Sequence, residues 1–139
     1  MLRLHLLLVA LAAPLAALGQ APGGKKSVDV NIASPEAVVA GSLDKELIRQ
    51  VVARNSNQIR SCYESQLAKT PKLNGKVAVR FVISASGSVV QATVAQSTVH
   101  NGELEQCVAG RVRTWLFPKP HGGGLVVVTY PFIFKQSGE

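Results

Sequence analysis

Val77-Ala78-Val79-Arg80-Phe81-Val82-Ile83 alternates along its length, and Ser84-Ala85-Ser86-Gly87-Ser88 follows it. A period of two places Val77, Val79, Phe81 and Ile83 on one face of a strand, with Lys76, Ala78, Arg80 and Val82 on the other. The serine-rich stretch is a turn, in which Gly87 can take the positive φ that a tight reversal needs. Val89 to Gln96 is then the return strand of a hairpin. A second alternating segment, Leu125 to Lys135, sets Val126, Val128, Tyr130, Phe132 and Phe134 on one face.

On either side of the hairpin the period changes from two to between three and four. Leu47, Ile48, Val51, Val52, Ile59, Cys62, Tyr63 and Leu67 share one face of a helix predicted over residues 43–69. Ser42 is the expected N-cap, and Asp44 and Glu46 suit the positive end of the helix dipole. Asn55-Ser56-Asn57 is a place to bend or split it, and Pro71 ends it. A second helix, residues 102–116, carries Leu104, Cys107, Val108, Val112 and Trp115 as its buried stripe, and Pro118 and Pro120 stop it. His121-Gly122-Gly123-Gly124 connects it to the last strand. Val28-Asp29-Val30-Asn31-Ile32 also alternates and is a candidate leading strand. The fold class is α+β: two helices packed on one face of a small antiparallel sheet of about three strands.

The N-terminus reads as an export signal. Arg3 supplies a positive charge, Leu6 to Leu18 is apolar apart from Pro14, and Ala17-Leu18-Gly19 offers small residues for cleavage after Gly19. The apolar run is 13 residues, short of the ~20 that span a bilayer; an uncleaved anchor is the alternative. The expected organisation is a signal over 1–19, a flexible linker over 20–41, one domain over 42–135 and a tail over 136–139. Export makes the location periplasmic or secreted.

Of 15 Lys+Arg only Arg3 lies in the leader, which leaves 14 against 8 acidic residues. That excess suits anionic partners or a solvated basic surface. Arg49, Arg60, Arg111 and Arg113 are the candidates for gripping an anionic envelope polymer; Arg49 and Arg60, eleven apart, would share a helix face. Nucleic acid is not expected, because the few aromatics fall in apolar phases and do not line a basic groove.

Few residues offer chemistry. His121-Gly122-Gly123-Gly124 imitates an esterase oxyanion loop, but no G-x-S-x-G elbow accompanies it. The histidines do not cluster, and two cysteines 45 positions apart do not make a zinc site. In an oxidising compartment Cys62 and Cys107, one on each helix, suggest a covalent staple. An exported enzyme using Cys62 or His121 is the competing reading, and a free thiol would mark it. No cofactor, metal or small-molecule substrate is expected.

The sheet is apolar on both faces, although one solvated face should be polar. Leu125, Val127 and Ile133, joined by Val82, lie opposite the core stripe. Either residues 20–41 or a second copy in a homodimer covers them, or they dock a partner protein.

Taken together, Cys62-Tyr63-Glu64, Pro71, Leu73, Gly75, the Val77–Ile83 alternation, Gly87-x-Val89, Cys107, Trp115-x-Phe117-Pro118 and Tyr130-Pro131-Phe132-x-Phe134 carry a resemblance. Over about Ser42 to Lys135 the chain resembles the AgmX/PglI C-terminal domain family of gliding myxobacteria and their relatives, which is similar to the TonB C-terminal domain. The resemblance implies a periplasmic α+β domain that binds envelope proteins, without cofactor or reaction, and a disulfide between Cys62 and Cys107. It also implies strand addition at a sheet edge, by position Leu125 to Phe134. Family members are often tails of long anchored proteins. A signal and a short linker fit a free adaptor, or an accessory subunit of a transport or gliding-motility complex, better than a force transducer.

Overall fold

The computed structural model describes residues 28–31 and 37–136, with side chains from residue 37 onward. The leader expected over 1–19 lies outside the described residues. The elements are β1 (Val28–Asn31), β2 (Val38–Ala40), α1 (Lys45–Arg54), α2 (Ser56–Leu67), β3 (Gly75–Ile83), β4 (Val89–Ser97), α3 (Gly102–Val112) and β5 (Val126–Gln136).

The long N-terminal helix is two helices. Asn55 ends α1: its side-chain amide donates to the Val51 carbonyl at 2.8 Å, and its carbonyl oxygen accepts from Gln58 at 3.3 Å. Such short polar side chains compete with the helix for backbone groups. The expected cap at Ser42 is displaced to Asp44, which accepts from the Glu46 amide at 2.9 Å. Leu43 is buried, so the chain enters the core before the helix begins. Asn101 caps α3 by accepting from the Leu104 amide at 2.8 Å. That helix stops at Val112, short of the expected Leu116: the Thr114 hydroxyl donates to the Arg111 carbonyl at 2.7 Å, and Trp115 turns inward to donate to Gln58 Oε1 at 2.9 Å.

The sheet is wholly antiparallel, in the order β1-β5-β3-β4, with β2 also on β5. Strand β5 is therefore central, and the expectation of a free edge along Leu125 to Phe134 is corrected. Residues read as linker supply its second neighbour: β1 pairs Val28–Asn31 with Gln136–Ile133, and β2 pairs Val38–Ala40 with Thr129–Val127. Pro131 falls between the two stretches. A proline has no N–H for a ladder, and it sits where neither short strand supplies a partner on that side.

Helices cover one face. Val77, Val79, Phe81 and Ile83 of β3 and Val126, Val128, Tyr130, Phe132 and Phe134 of β5 are all buried. Phe134 meets Tyr63 of α2 with ring centroids 5.1 Å apart, and Phe132 meets Trp115 at 6.3 Å. Tyr63 donates to the Leu73 carbonyl, tying α2 to the chain before β3. Cys62 and Cys107 form the disulfide, with Cα atoms 5.8 Å apart, and join α2 to α3. The segment after α3 closes against the hairpin turn, where the Phe117 amide donates to the Gly87 carbonyl at 2.9 Å.

A polar clamp supplements the disulfide. Glu103 accepts from Gln66 and from Lys69, each at 2.9 Å. The hydrogen bond from Lys69, then that from Gln66, holds the Glu103 carboxyl below its ordinary 4.5. A carboxyl with a depressed folded pKa stabilises fully above the unfolded value and loses that contribution as pH falls through the folded one. Thermal midpoints of the wild type and Glu103→Gln should therefore differ at pH 7 and converge once pH drops well below 4.5. A gap that persists in acid would count against the clamp.

Candidate protein-interaction site

Two surfaces are open. The first is the sheet face away from the helices. Cross-strand register aligns Gln91, Val82, Val127 and Ala40 in one row and Thr93, Arg80, Thr129 and Val38 in the next. Of the expected docking residues, Leu125 is 64% exposed, Val127 and Ile133 are half-buried, and Val82 is buried between its neighbours. Val38, in the stretch read as linker, is 63% exposed and extends the patch. The described residues 28–31 and 38–40 flank β5 within the sheet, as its edge.

The second surface is the edge of β4, which has no strand partner on its outer side among the described residues. Along an antiparallel strand the main-chain groups alternate in direction. The Thr98 amide bonds the Lys76 carbonyl, so Lys76, Ala78, Arg80 and Val82 face β4. Thr93 and Gln91 then return those bonds, while Ala92 and Val94 turn theirs outward. In agreement, the Ala92 carbonyl accepts from Arg113 Nη2 at 3.1 Å. Between this edge and α3 runs a groove of about 420 Å³, walled by Ala92, Thr93 and Val94 on one side and by Glu105, Ala109, Gly110 and Arg113 on the other.

The basic candidates are dispersed. Arg49 lies on α1, Arg60 on α2, and Arg111 and Arg113 at the end of α3. Arg49 and Arg60, expected on one helix, stand on two, α1 and α2, which part at Asn55. Arg49 is also engaged, donating from Nε to Glu46 Oε2 at 2.9 Å. That bond holds the Glu46 carboxyl below and the Arg49 guanidinium above their ordinary values.

Cysteine chemistry is corrected too. Both sulfurs are in the disulfide and no free cysteine remains, so the alternative of an exported cysteine enzyme loses its nucleophile. His121 is exposed in a short 3-10 turn, its amide bonded to the Ser42 carbonyl at 3.0 Å. Among the described residues no three His, Cys, Asp or Glu side chains converge to hold a metal. Nor is any described helix long and apolar enough to cross a membrane.

The hairpin, α3 and β5, with the last three residues of α2, coincide with a known domain: the family described as Gram-negative bacterial TonB protein C-terminal matches residues 65–136. The chain belongs to the TonB C-terminal family. No curated protein and no solved structure matches it. Domains of the TonB C-terminal family are periplasmic, non-enzymatic modules that interact with other envelope proteins. In this TonB C-terminal domain the hairpin edge β4 carries no further strand among the described residues, whereas the β5 edge carries β1 and β2.

The groove left little trace in the sequence. Its wall on α3 is made by missing side chains, and the only signal was a pair of glycines, Gly102 and Gly110, inside a helical pattern.

Proposed function

We propose that the chain is an adaptor or accessory subunit of a cell-envelope complex, periplasmic or secreted, which docks another envelope protein through its open sheet face. The observation that carries this reading is the exposure of Leu125 and Val38 beside half-buried Val127 and Ile133. Contiguous apolar surface with polar surroundings marks interaction sites. Thr129, Thr93 and Arg80 supply that polar setting in the adjoining row. Membership of a protein-binding envelope family supports the same class of partner, and the AgmX/PglI resemblance supports a transport or gliding-motility setting.

Photo-crosslinking in cells tests it. A crosslinker at Leu125 should capture a defined envelope protein, and one at exposed Glu64 on the helical side should not. Val127→Asp should abolish the capture while shifting the melting midpoint by only a few degrees, because Val127 is half-buried and lies outside the hydrophobic core. Capture should persist at physiological salt, which screens charges beyond ~8 Å but not apolar contact. Equal capture from both positions, or capture indifferent to Val127→Asp, would sink the reading.

A further inference from the structure

Charge is segregated in this molecule. Every acidic side chain among the described ones belongs to the helical layer: Asp44 caps α1, Glu46 lies on it, Glu64 lies on α2, and Glu103 and Glu105 lie on α3. The open sheet face carries cations instead, Lys76 and Arg80 on β3 and Lys135 on β5. Lys135 stands opposite Asp29 in register. Neither Lys76 nor Arg80 forms an ion pair among the described residues.

We propose that the open face selects an acidic partner protein, one that sets a carboxylate on Arg80, a second on Lys76, and apolar side chains on Val127 and Leu125. The inference rests on the reading of this face as the docking surface and adds the chemistry of what docks there.

Charge sorts the occupants. In a symmetric dimer the same patch meets itself, so a second copy would bring cations to a face that offers no described acid. Recognition of an anionic lipid surface takes clusters of about 4–8 Lys or Arg, more than the three found here. Two fixed cations among apolar rows suit a folded surface that matches them position by position. Arg80 is the better anchor, because its planar fork of donors binds a carboxylate bidentately. Ala78 and Val82, two residues to either side of it on the same face, are 6% and 9% exposed. An arginine stem covers apolar neighbours of this kind while its head stays in water.

Spacing defines the partner's surface. Strand β3 keeps register with β5 from Gly75 to Ile83 without a break, and both irregularities lie in its pairing with β4. Lys76 and Arg80 are therefore four residues apart on one face, about 13 Å. The two carboxylates must be about as far apart, which is four residues on a strand or eight on a helix. Small Ala78 and Pro131 lie between them, and Val82, Val127 and Leu125 lie beyond Arg80. Ion pairs closed under such apolar contact are screened little at physiological salt.

Zero-length coupling with a water-soluble carbodiimide tests the chemistry. The reagent activates a carboxylate, a touching amine displaces it to form an amide, and the water formally lost leaves within the urea by-product. In the envelope fraction Lys76 should be joined to an Asp or Glu of one protein. Arg80→Lys should add a second amide, from position 80 to another Asp or Glu of the same protein. Arg80→Met keeps a stem over Ala78 and Val82 but removes the fork. It should lower capture by the crosslinker at Leu125 at least about tenfold, because the partner's carboxylate is left buried and unpaired. Its melting midpoint should not change. Arg80→Glu should abolish capture, and lysine in place of the mapped carboxylate should restore it to Arg80→Glu while removing it from the wild type.

Capture indifferent to both Arg80→Met and Arg80→Glu would overturn the proposal. So would amides that form only to Asp29 or Glu36 of the same chain, only to a second copy, or not at all. Flotation with phosphatidylglycerol vesicles, without an amide to any protein, would assign the face to lipid and overturn it too. Capture that depends on Val127 but not on Arg80 removes the acidic partner alone and leaves docking through the open face. Loss of Val127-dependent capture removes both.

Discussion

Replacing Cys62 and Cys107 together by alanine is expected to lower the melting midpoint by on the order of 20 °C. The disulfide closes a loop of 45 residues, which the chain-entropy relation values at roughly 4 kcal/mol. For a domain of about 100 residues each kcal/mol moves the midpoint by about 4–8 °C. Cys62 is buried in the helix-facing core, so truncating it adds a packing loss to the entropic one. Calorimetry of the wild type with and without reductant, beside the double variant, checks this. The reduced protein and the variant should melt close together and far below the oxidised protein. A variant within ~5 °C of the oxidised wild type would show that tertiary packing, aided by the Gln66–Glu103–Lys69 clamp, suffices to hold α2 on α3.

Gly87→Ala should cost roughly 3 kcal/mol or more, because two penalties combine. Gly87 has φ +90°, which L side chains rarely adopt, and an added Cβ would lie 2.1 Å from the Phe117 carbonyl oxygen. That oxygen belongs to backbone and cannot swing aside. Relief requires the 116–118 segment to lift from the turn, which breaks the Phe117–Gly87 hydrogen bond and the Ser88–Leu116 bridge. It also withdraws Phe117 from Phe81, whose ring lies 5.5 Å away. Urea unfolding should show the midpoint falling by about 1–3 M for a typical slope. Gly124→Ala is the matched control, with no neighbour near its Cβ and no positive φ, and should change stability by less than about 0.5 kcal/mol. Comparable losses at both positions would refute the close-approach argument.

The contact at Gly87 also shows what could be read from the chain. Gly87-x-Val89 and Trp115-x-Phe117-Pro118 stood out as separate motifs, and in the fold each is the other's partner. Local patterns were legible because they depend on neighbours in sequence: the Val77–Ile83 alternation, the core stripe of β5, the cysteines on two helices, and the break at Asn55. Sheet order was not, because β5 has apolar residues on both faces and nothing local says which strands flank it. A proline inside a strand is ordinarily confined to an edge, and Pro131 is not. It lies on a strand paired on both sides, in the gap that β1 and β2 leave. Of the two short strands, β1 was legible in the alternation of Val28-Asp29-Val30-Asn31, whereas β2, only three residues long, carries no such pattern. For the site, the apolar residues of the open face were legible by parity alone. Their exposure was not: Val82, at the centre of the sheet, is shielded by the strands beside it.

The pairing of β1 with β5 has a mechanical consequence. Val28 lies directly across from Gln136, so a pull applied between those two residues acts across the strands at one end of the ladder. The load opens Val28–Gln136 first, then Asp29–Lys135, Val30–Phe134 and Asn31–Ile133 in succession, each pair bearing the tension alone. Strands drawn lengthwise past one another would share it. Releasing four residues lengthens the chain by about 14 Å while β3, β4 and the rest of β5 stay in place. Between Cys62 and Cys107 the chain cannot pay out at all, since the disulfide carries the load directly. The module is thus a short compliant spring in series with a rigid body, yielding at β1 long before the hairpin feels the strain.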